Sequence, residues 1–179
     1  MADTALVVVD MLNTYEHEDA DKLTRSVREV LPNIADLIER ATDDDDLEVV
    51  YVNDLYGHWN AGRAELLERV LEGGYRDLVE PIAPAEDALF VVKARHSIFY
   101  ETPLEYMLRQ QGVEKLVLAG QVTEQCILYS ALDAYIRHME VVVPRDAVAH
   151  IHEDLAEAAL RMMEVNMRAE VASAAECLR

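Results

Sequence analysis

Lysine is nearly missing from this chain: Lys22, Lys93 and Lys115 stand against thirteen arginines and thirty-five acidic residues. The formal net charge is −19, which excludes a nucleic-acid partner held on a basic surface, because phosphate would be repelled. A composition so rich in acid fits either salt adaptation or a GC-rich genome. Cysteine is equally scarce. Cys126 and Cys177 make no disulfide framework and have no zinc-finger spacing, so a reducing compartment is the simplest reading. Aromatic residues amount to 6%, leaving Val, Leu, Ala and Ile to fill the interior. Uninterrupted apolar runs are short, such as Ala5 to Val9, far below the ~20 residues of a membrane helix. The opening "MADTALVVVD" lacks the charged-then-apolar pattern of a secretory leader. A cytoplasmic protein with no membrane partner is expected.

What is present is an alternation of apolar strands and amphipathic helices. Strands are expected at Thr4 to Asp10, Leu47 to Asn53, Ala88 to Lys93, Lys115 to Gly120 and Val141 to Pro144, with a short sixth at Glu170 to Ala174. Between them, residues 21–41 carry Val27, Val30, Leu31, Ile34, Leu37 and Ile38 at helical spacing, with a kink or break expected at Pro32. Further helices are expected at Arg63 to Leu71, Pro103 to Gln111, Glu124 to His138 and His152 to Met167. Continuous apolar strands separated by helices imply a parallel sheet covered on both faces. The expected fold is therefore α/β, a three-layer Rossmann-like sandwich with a doubly wound, mainly parallel sheet of about six strands. With no linker, repeat or low-complexity tract, residues 1–179 are read as one domain.

Ligands of such sheets lie at the carboxyl ends of the strands. Those ends carry Asp10, then Asn53 and Asp54, then Lys93, and finally Gly120 running on to Cys126. An acid, a base and a thiol are thus expected to converge. Each has a plainer reading. Asp10 suits a turn or helix cap, Lys93 a side chain snorkelling from the strand mouth, and Cys126 a small buried filler. Thr123 is a good N-cap residue, which places Cys126 in the first turn of a helix, where free N–H groups favour thiolate. Lys93 is expected to offset the acidic surroundings, since exposed acids beyond ~8 Å are screened by salt.

The stretches "ALVVVDMLN", "VVKARHSIFYETPLEYML" and "KLVLAGQVTEQCILYSALDAYIRHMEVVVPRDAVA" resemble the isochorismatase-like cysteine hydrolases, a superfamily that includes nicotinamidases and N-carbamoyl amidases. The resemblance covers most of the chain. It implies a catalytic triad of Asp10, Lys93 and Cys126 that cleaves amide-type bonds through a thioester. It also implies a cis peptide bond at Gln121–Val122 and an oxyanion hole built from the N–H groups of Val122 and Cys126. Branches that cleave the isochorismate vinyl ether typically lack the cysteine, so its presence favours the amidase side.

One element departs from the resemblance. Nicotinamidase-like members hold a metal through an Asp-x-His element after the second strand. Here the sequence reads "NDLYGHW", with Tyr56 in the histidine position and His58 out of register. No metal and no cofactor are expected. Asn53, Asp54, Trp59 and Tyr100 are candidate pocket residues instead. His96 is a second candidate base, behind Asp10. The pair His150 and His152 lacks a third ligand.

The resulting expectation is a hydrolase of a small amide, ureido or carbamoyl substrate, assembled as a homo-oligomer as is usual in the resembling family. Two other readings stay open on the same fold: a catalytically silent binding or assembly protein, and a redox-sensing thiol protein.

Overall fold

The computed structural model describes residues 3–58 and 60–178. The first strand, β1 (Thr4–Val9), is buried along its whole length. Helix α1 (Ala20–Thr42) follows and leads into β2 (Leu47–Asp54). Two short helices, α2 (Arg63–Glu72) and α3 (Arg76–Val79), and a 3₁₀ turn at Glu80–Ile82 precede β3 (Leu89–Lys93). Next come α4 (Leu104–Gln111) and β4 (Lys115–Gln121). A single π turn, Thr123–Ile127, opens α5 (Leu128–Ile136). The chain ends with β5 (Glu140–Pro144), β6 (Val148–Ala149), α6 (Glu153–Met167) and β7 (Glu170–Ala172). Among the described residues no helix is long and apolar enough to cross a membrane.

The seven strands form one sheet in the order β3-β2-β1-β4-β5-β7, with the two-residue β6 paired to β4, and every pairing is parallel. Alternate residues of β1 serve the two faces. Leu6 and Val8 pack with Leu23, Val27, Ile34 and Leu37 of α1. Ala5, Val7 and Val9 pack on the opposite side with Leu104 of α4, Ala131 of α5 and Met163 of α6. Both faces are thus covered, which is why the strands read as unbroken apolar runs.

Helix α1 runs through Pro32 without the break expected there. Pro32 and Arg28, whose carbonyl loses its N–H partner, lie on the exposed side, where water can solvate the freed oxygen. The opposite side buries Val27, Val30, Ile34 and Leu37. Each buried aliphatic side chain contributes roughly 1.5–3 kcal/mol, and together they outweigh a proline penalty of about 3 kcal/mol.

The chain runs outward from β1 to β3, then returns to place β4 on the other side of β1. The reversal lies between β1 and β4, so the crevice of the sheet opens at their carboxyl ends. Close approach there rests on Gly120, which pairs with Val9, has φ +117, and has no room for a Cβ beside the Val9 backbone.

Candidate active site

The loops after β1, β2, β3 and β4 wall a cleft of about 520 Å³ that is lined by Asp10, Lys93 and Cys126 among others. Lys93 is the last residue of β3. Its side chain is 1% exposed, and its ammonium lies 2.9 Å from the Asp10 carboxylate. The same ammonium donates to the Cys126 sulfur at 3.7 Å. So buried a lysine is uncommon unless paired; this one has two partners.

Asp10 is held from several directions. It leaves β1 with a left-handed φ of 54°, a conformation that side chains with a Cβ adopt at a cost and that recurs at functional sites. Its N–H donates to Val52 O at 2.9 Å, and its carboxylate accepts the Asp54 N–H at 2.9 Å. Its carbonyl accepts the Gln121 amide at 2.6 Å and the Tyr56 hydroxyl at 3.3 Å. The Tyr56 residue is 41% exposed, yet its hydroxyl end is enclosed, and burial followed by the nearby Asp10 charge raises its pKa well above the ordinary value. Gln121 in turn accepts the Tyr15 hydroxyl at 3.5 Å. Gln121, the last residue of β4, and Tyr56, just past β2, were named in the sequence but not as groups that hold Asp10.

Cys126 lies inside the π turn, not in the first turn of an α-helix. Thr123 does not cap that turn; its hydroxyl donates to Ala149 O at 2.9 Å and ties the turn to β6. Gln125 and Ile127 both donate to Val122 O, at 3.0 and 3.1 Å. π turns of this kind are frequent at functional sites. The Val122 N–H points at the Cys126 sulfur, and the Gln121–Val122 peptide bond is cis.

The electrostatic expectation for the thiol is reversed. Burial, then the Asp10 charge, push the Cys126 thiol up to about 12, and Lys93 offsets only part of this. Burial likewise raises the Asp10 carboxyl above its ordinary value against the lowering pull of Lys93. Burial lowers Lys93, but Asp10, Cys126 and Asp54 more than compensate and hold it above its ordinary value. The site thus sets a thiol that holds its proton tightly beside the buried Lys93–Asp10 ion pair. Asp10 and Cys126 contact the same Lys93 ammonium, at 2.9 and 3.7 Å.

The remaining candidates fall in different places. Asp54 lines the cleft, and its carboxylate accepts the Tyr56 N–H at 2.7 Å. Asn53 is 2% exposed; it accepts Leu12 N–H at 2.9 Å and donates to Leu12 O at 3.0 Å, which fixes the loop after β1 from behind. Tyr100 is 54% exposed and outside the cleft lining. Trp59 lies outside the described residues. His58 lines a hollow with Asn60 and Glu65 and is not in the lining of the cleft that holds Asp54. Among the described residues no three His, Cys, Asp or Glu side chains are grouped to hold a metal ion.

His96 lines the cleft with a left-handed φ of 46°, and its ring meets Tyr129 edge-on at 5.4 Å. Burial, then Arg95, lower its pKa, and it makes no hydrogen bond to Cys126 among the described residues. Arg95 and His17 also line the cleft; neither was singled out in the sequence. His150 is engaged with Ser26, at 3.1 Å through Nδ1. The His152 N–H donates to Glu124 at 2.8 Å, at the start of α6.

Known proteins resemble this chain over nearly its whole length. The Isochorismatase domain family model matches residues 4–176. The chain is 33% identical over 170 residues to the uncharacterized isochorismatase family protein YaaI of Bacillus subtilis, covering 95% of this chain and 93% of that protein. It is 31% identical over 165 residues to maleamate amidohydrolase of Pseudomonas putida, covering 87% and 76% respectively. Among solved structures, N-carbamoylsarcosine amidase from Thermoplasma acidophilum superposes with a TM-score of 0.76 at 27% identity, over 98% of each chain. The chain therefore belongs to the isochorismatase family, the isochorismatase-like hydrolases that its strand-end motifs resemble.

Proposed function

We propose that the protein is a cysteine hydrolase that cleaves the C–N bond of a small amide or ureido substrate through a thioester on Cys126. The observation that carries the proposal is the contact of one buried ammonium, Lys93, with both Asp10 and Cys126, at 2.9 and 3.7 Å. The maleamate and N-carbamoylsarcosine hydrolases named above support the choice of bond.

The reaction follows from the site. Cys126 sulfur attacks the carbonyl carbon as its proton passes to Asp10, forming the C–S bond. The carbonyl oxygen becomes an oxyanion facing the Val122 and Cys126 N–H groups, which are fixed before the charge develops. Collapse breaks the C–N bond, and Asp10 returns the proton to the departing nitrogen. Water then attacks the thioester, giving a proton to Asp10. The C–S bond breaks, the acid leaves, and the proton returns to sulfur. Lys93 stabilises the negative charge wherever it resides, on carboxylate or sulfur. A carboxyl pKa above the ordinary value improves Asp10 as a proton acceptor near neutrality.

The test is ammonia release from a panel of small primary amides and ureido acids, with wild type and Cys126→Ala. Turnover by wild type alone supports the proposal. A silent wild type across both classes favours a binding protein on the same fold, and a reversible sulfenic mass on Cys126 favours a redox thiol.

A further inference from the structure

Of the described residues that line the cleft, Ile151 alone lies beyond Cys126 in the chain. It belongs to residues 149–152, which carry the chain from the end of β6 to the start of α6. Side chains from elsewhere hold this short connection at every residue. Thr123 Oγ1 donates to Ala149 O at 2.9 Å. The His150 N–H donates to Ser26 Oγ at 3.0 Å. The N–H groups of Ile151 and His152 both donate to Oε1 of Glu124, at 3.0 and 2.8 Å. Glu124 is 9% exposed, and its Oε2 is buried with no hydrogen-bond partner among the described residues. Burying a carboxylate is costly unless its oxygens are paired. What Glu124 gives in return is the pair of bonds at Oε1.

We infer that Glu124 is a positioning residue that fixes Ile151 as an apolar wall of the cleft, and that this wall limits the size of the acyl group reaching Cys126. Glu124 and Thr123 belong to the same π turn as Cys126. One turn therefore sets both the nucleophile and the wall. Ile151 is half-buried and packs on the core cluster that contains Leu23 and Val122. These three are the branched aliphatic side chains of the cleft lining, the rest of which is mostly polar. An aliphatic wall beside the nucleophile selects a small apolar acyl chain over a bulky one, because one methylene in an apolar pocket changes discrimination by about 10–200-fold. Since Oε2 has no partner, the two bonds call for one acceptor oxygen and not for a charge, and glutamine supplies that oxygen. The inference takes the cleft as the acyl site proposed above, but its test does not require turnover.

Alkylation of Cys126 by N-methylmaleimide and by N-benzylmaleimide, mapped by peptide mass, tests it. Both reagents meet the same sulfur, so the ratio of their rates cancels thiol acidity and folded fraction and reads the wall. Ile151→Ala should shift that ratio toward the bulky reagent by about tenfold, the lower end of the methylene effect. Glu124→Ala should shift it the same way, and the double variant no further than the larger single, since one residue acts through the other. Glu124→Gln, which keeps Oε1, should stay near the wild-type ratio. A Glu124 that only stabilises the fold would lower urea stability and leave the ratio unmoved. That result, additive shifts in the double variant, or failure of glutamine to rescue would each overturn the inference. Should Glu124→Ala not fold, Glu124→Asp decides: its oxygens fall one methylene short of the two N–H groups, so the shift is expected and an unmoved ratio contradicts. On an amide that wild type turns over, Glu124→Ala should raise KM by a larger factor than it lowers kcat; the reverse contradicts the assignment. A wild type silent toward every amide removes the hydrolase reading alone, and the alkylation ratio still decides the wall.

Discussion

The Lys93 ammonium donates to the carboxylate of Asp10 at 2.9 Å and to the sulfur of Cys126 at 3.7 Å, from a side chain that is 1% exposed. One buried cation thus contacts both an acid and a thiol at the carboxyl edge of the sheet.

Replacing it should be costly in a pH-dependent way. Lys93→Met leaves Asp10 buried without a cation, and breaking a buried pair from one side typically costs about 3–5 kcal/mol. Loss of the lysine also removes a lowering influence on the Asp10 carboxyl, which burial already holds above its ordinary value. The folded variant therefore takes up a proton more readily than its unfolded chain. Its deficit relative to wild type should be largest near neutrality and should shrink as pH falls toward the ordinary carboxylate range. Urea unfolding of both proteins at neutral and mildly acidic pH measures this; a deficit that grows with acidity contradicts it.

Asp10→Asn should separate thiol reactivity from turnover. After burial, Asp10 is the largest cause of the raised Cys126 pKa, so its neutralisation eases thiolate formation. The proton acceptor is lost at the same time, and general acid–base catalysis is worth about 10²–10⁴-fold. Iodoacetamide labelling of Cys126 should therefore quicken while amide turnover falls by that range. Slower labelling, or turnover near the wild-type rate, would show that Asp10 is not the proton shuttle.

The wild-type thiol itself should behave as a weak acid. With its pKa pushed up to about 12, labelling of Cys126 should still be climbing from roughly pH 8 to 10, beyond the ordinary thiol value of ~8.5. A plateau below that span would mean a standing thiolate. Cys177 is raised to about 11 and is 3% exposed in the core, so peptide mapping should find it unlabelled in the folded protein.

Gly120→Ala tests the seam between β1 and β4. A Cβ at φ +117 would overlap the Val9 backbone, and neither strand can yield without breaking the register that carries Asp10. A loss of at least about 2 kcal/mol is expected, read from thermal or urea unfolding. A neutral effect would mean that the strands are looser than the pairing implies.

The strand ends were legible because period and burial fix them: Asp10, Lys93 and Cys126 follow runs of Val, Leu and Ala that have to be interior. The residues that hold Asp10 were not. Gln121 and Tyr56 act through contacts formed only when the end of β4 and the loop after β2 meet over β1, and no local spacing encodes that meeting. Pro32 misled because local propensity overstates a proline whose freed carbonyl faces water. The thiol misled for a related reason: helix position and the nearest cation are visible in sequence, whereas desolvation is a property of the closed site. The two-residue β6 and the four-residue α3 are too short for any periodicity to announce.

In the proposed reaction Cys126 carries the acyl group between the two half-reactions. Intact-mass spectrometry of rapidly quenched mixtures with a turned-over amide tests it most directly. A mass increase equal to the acyl portion of the substrate is expected, mapped to the peptide containing Cys126, sensitive to hydroxylamine, and absent from Cys126→Ala. Turnover without any adduct, persisting in Cys126→Ala, would contradict it.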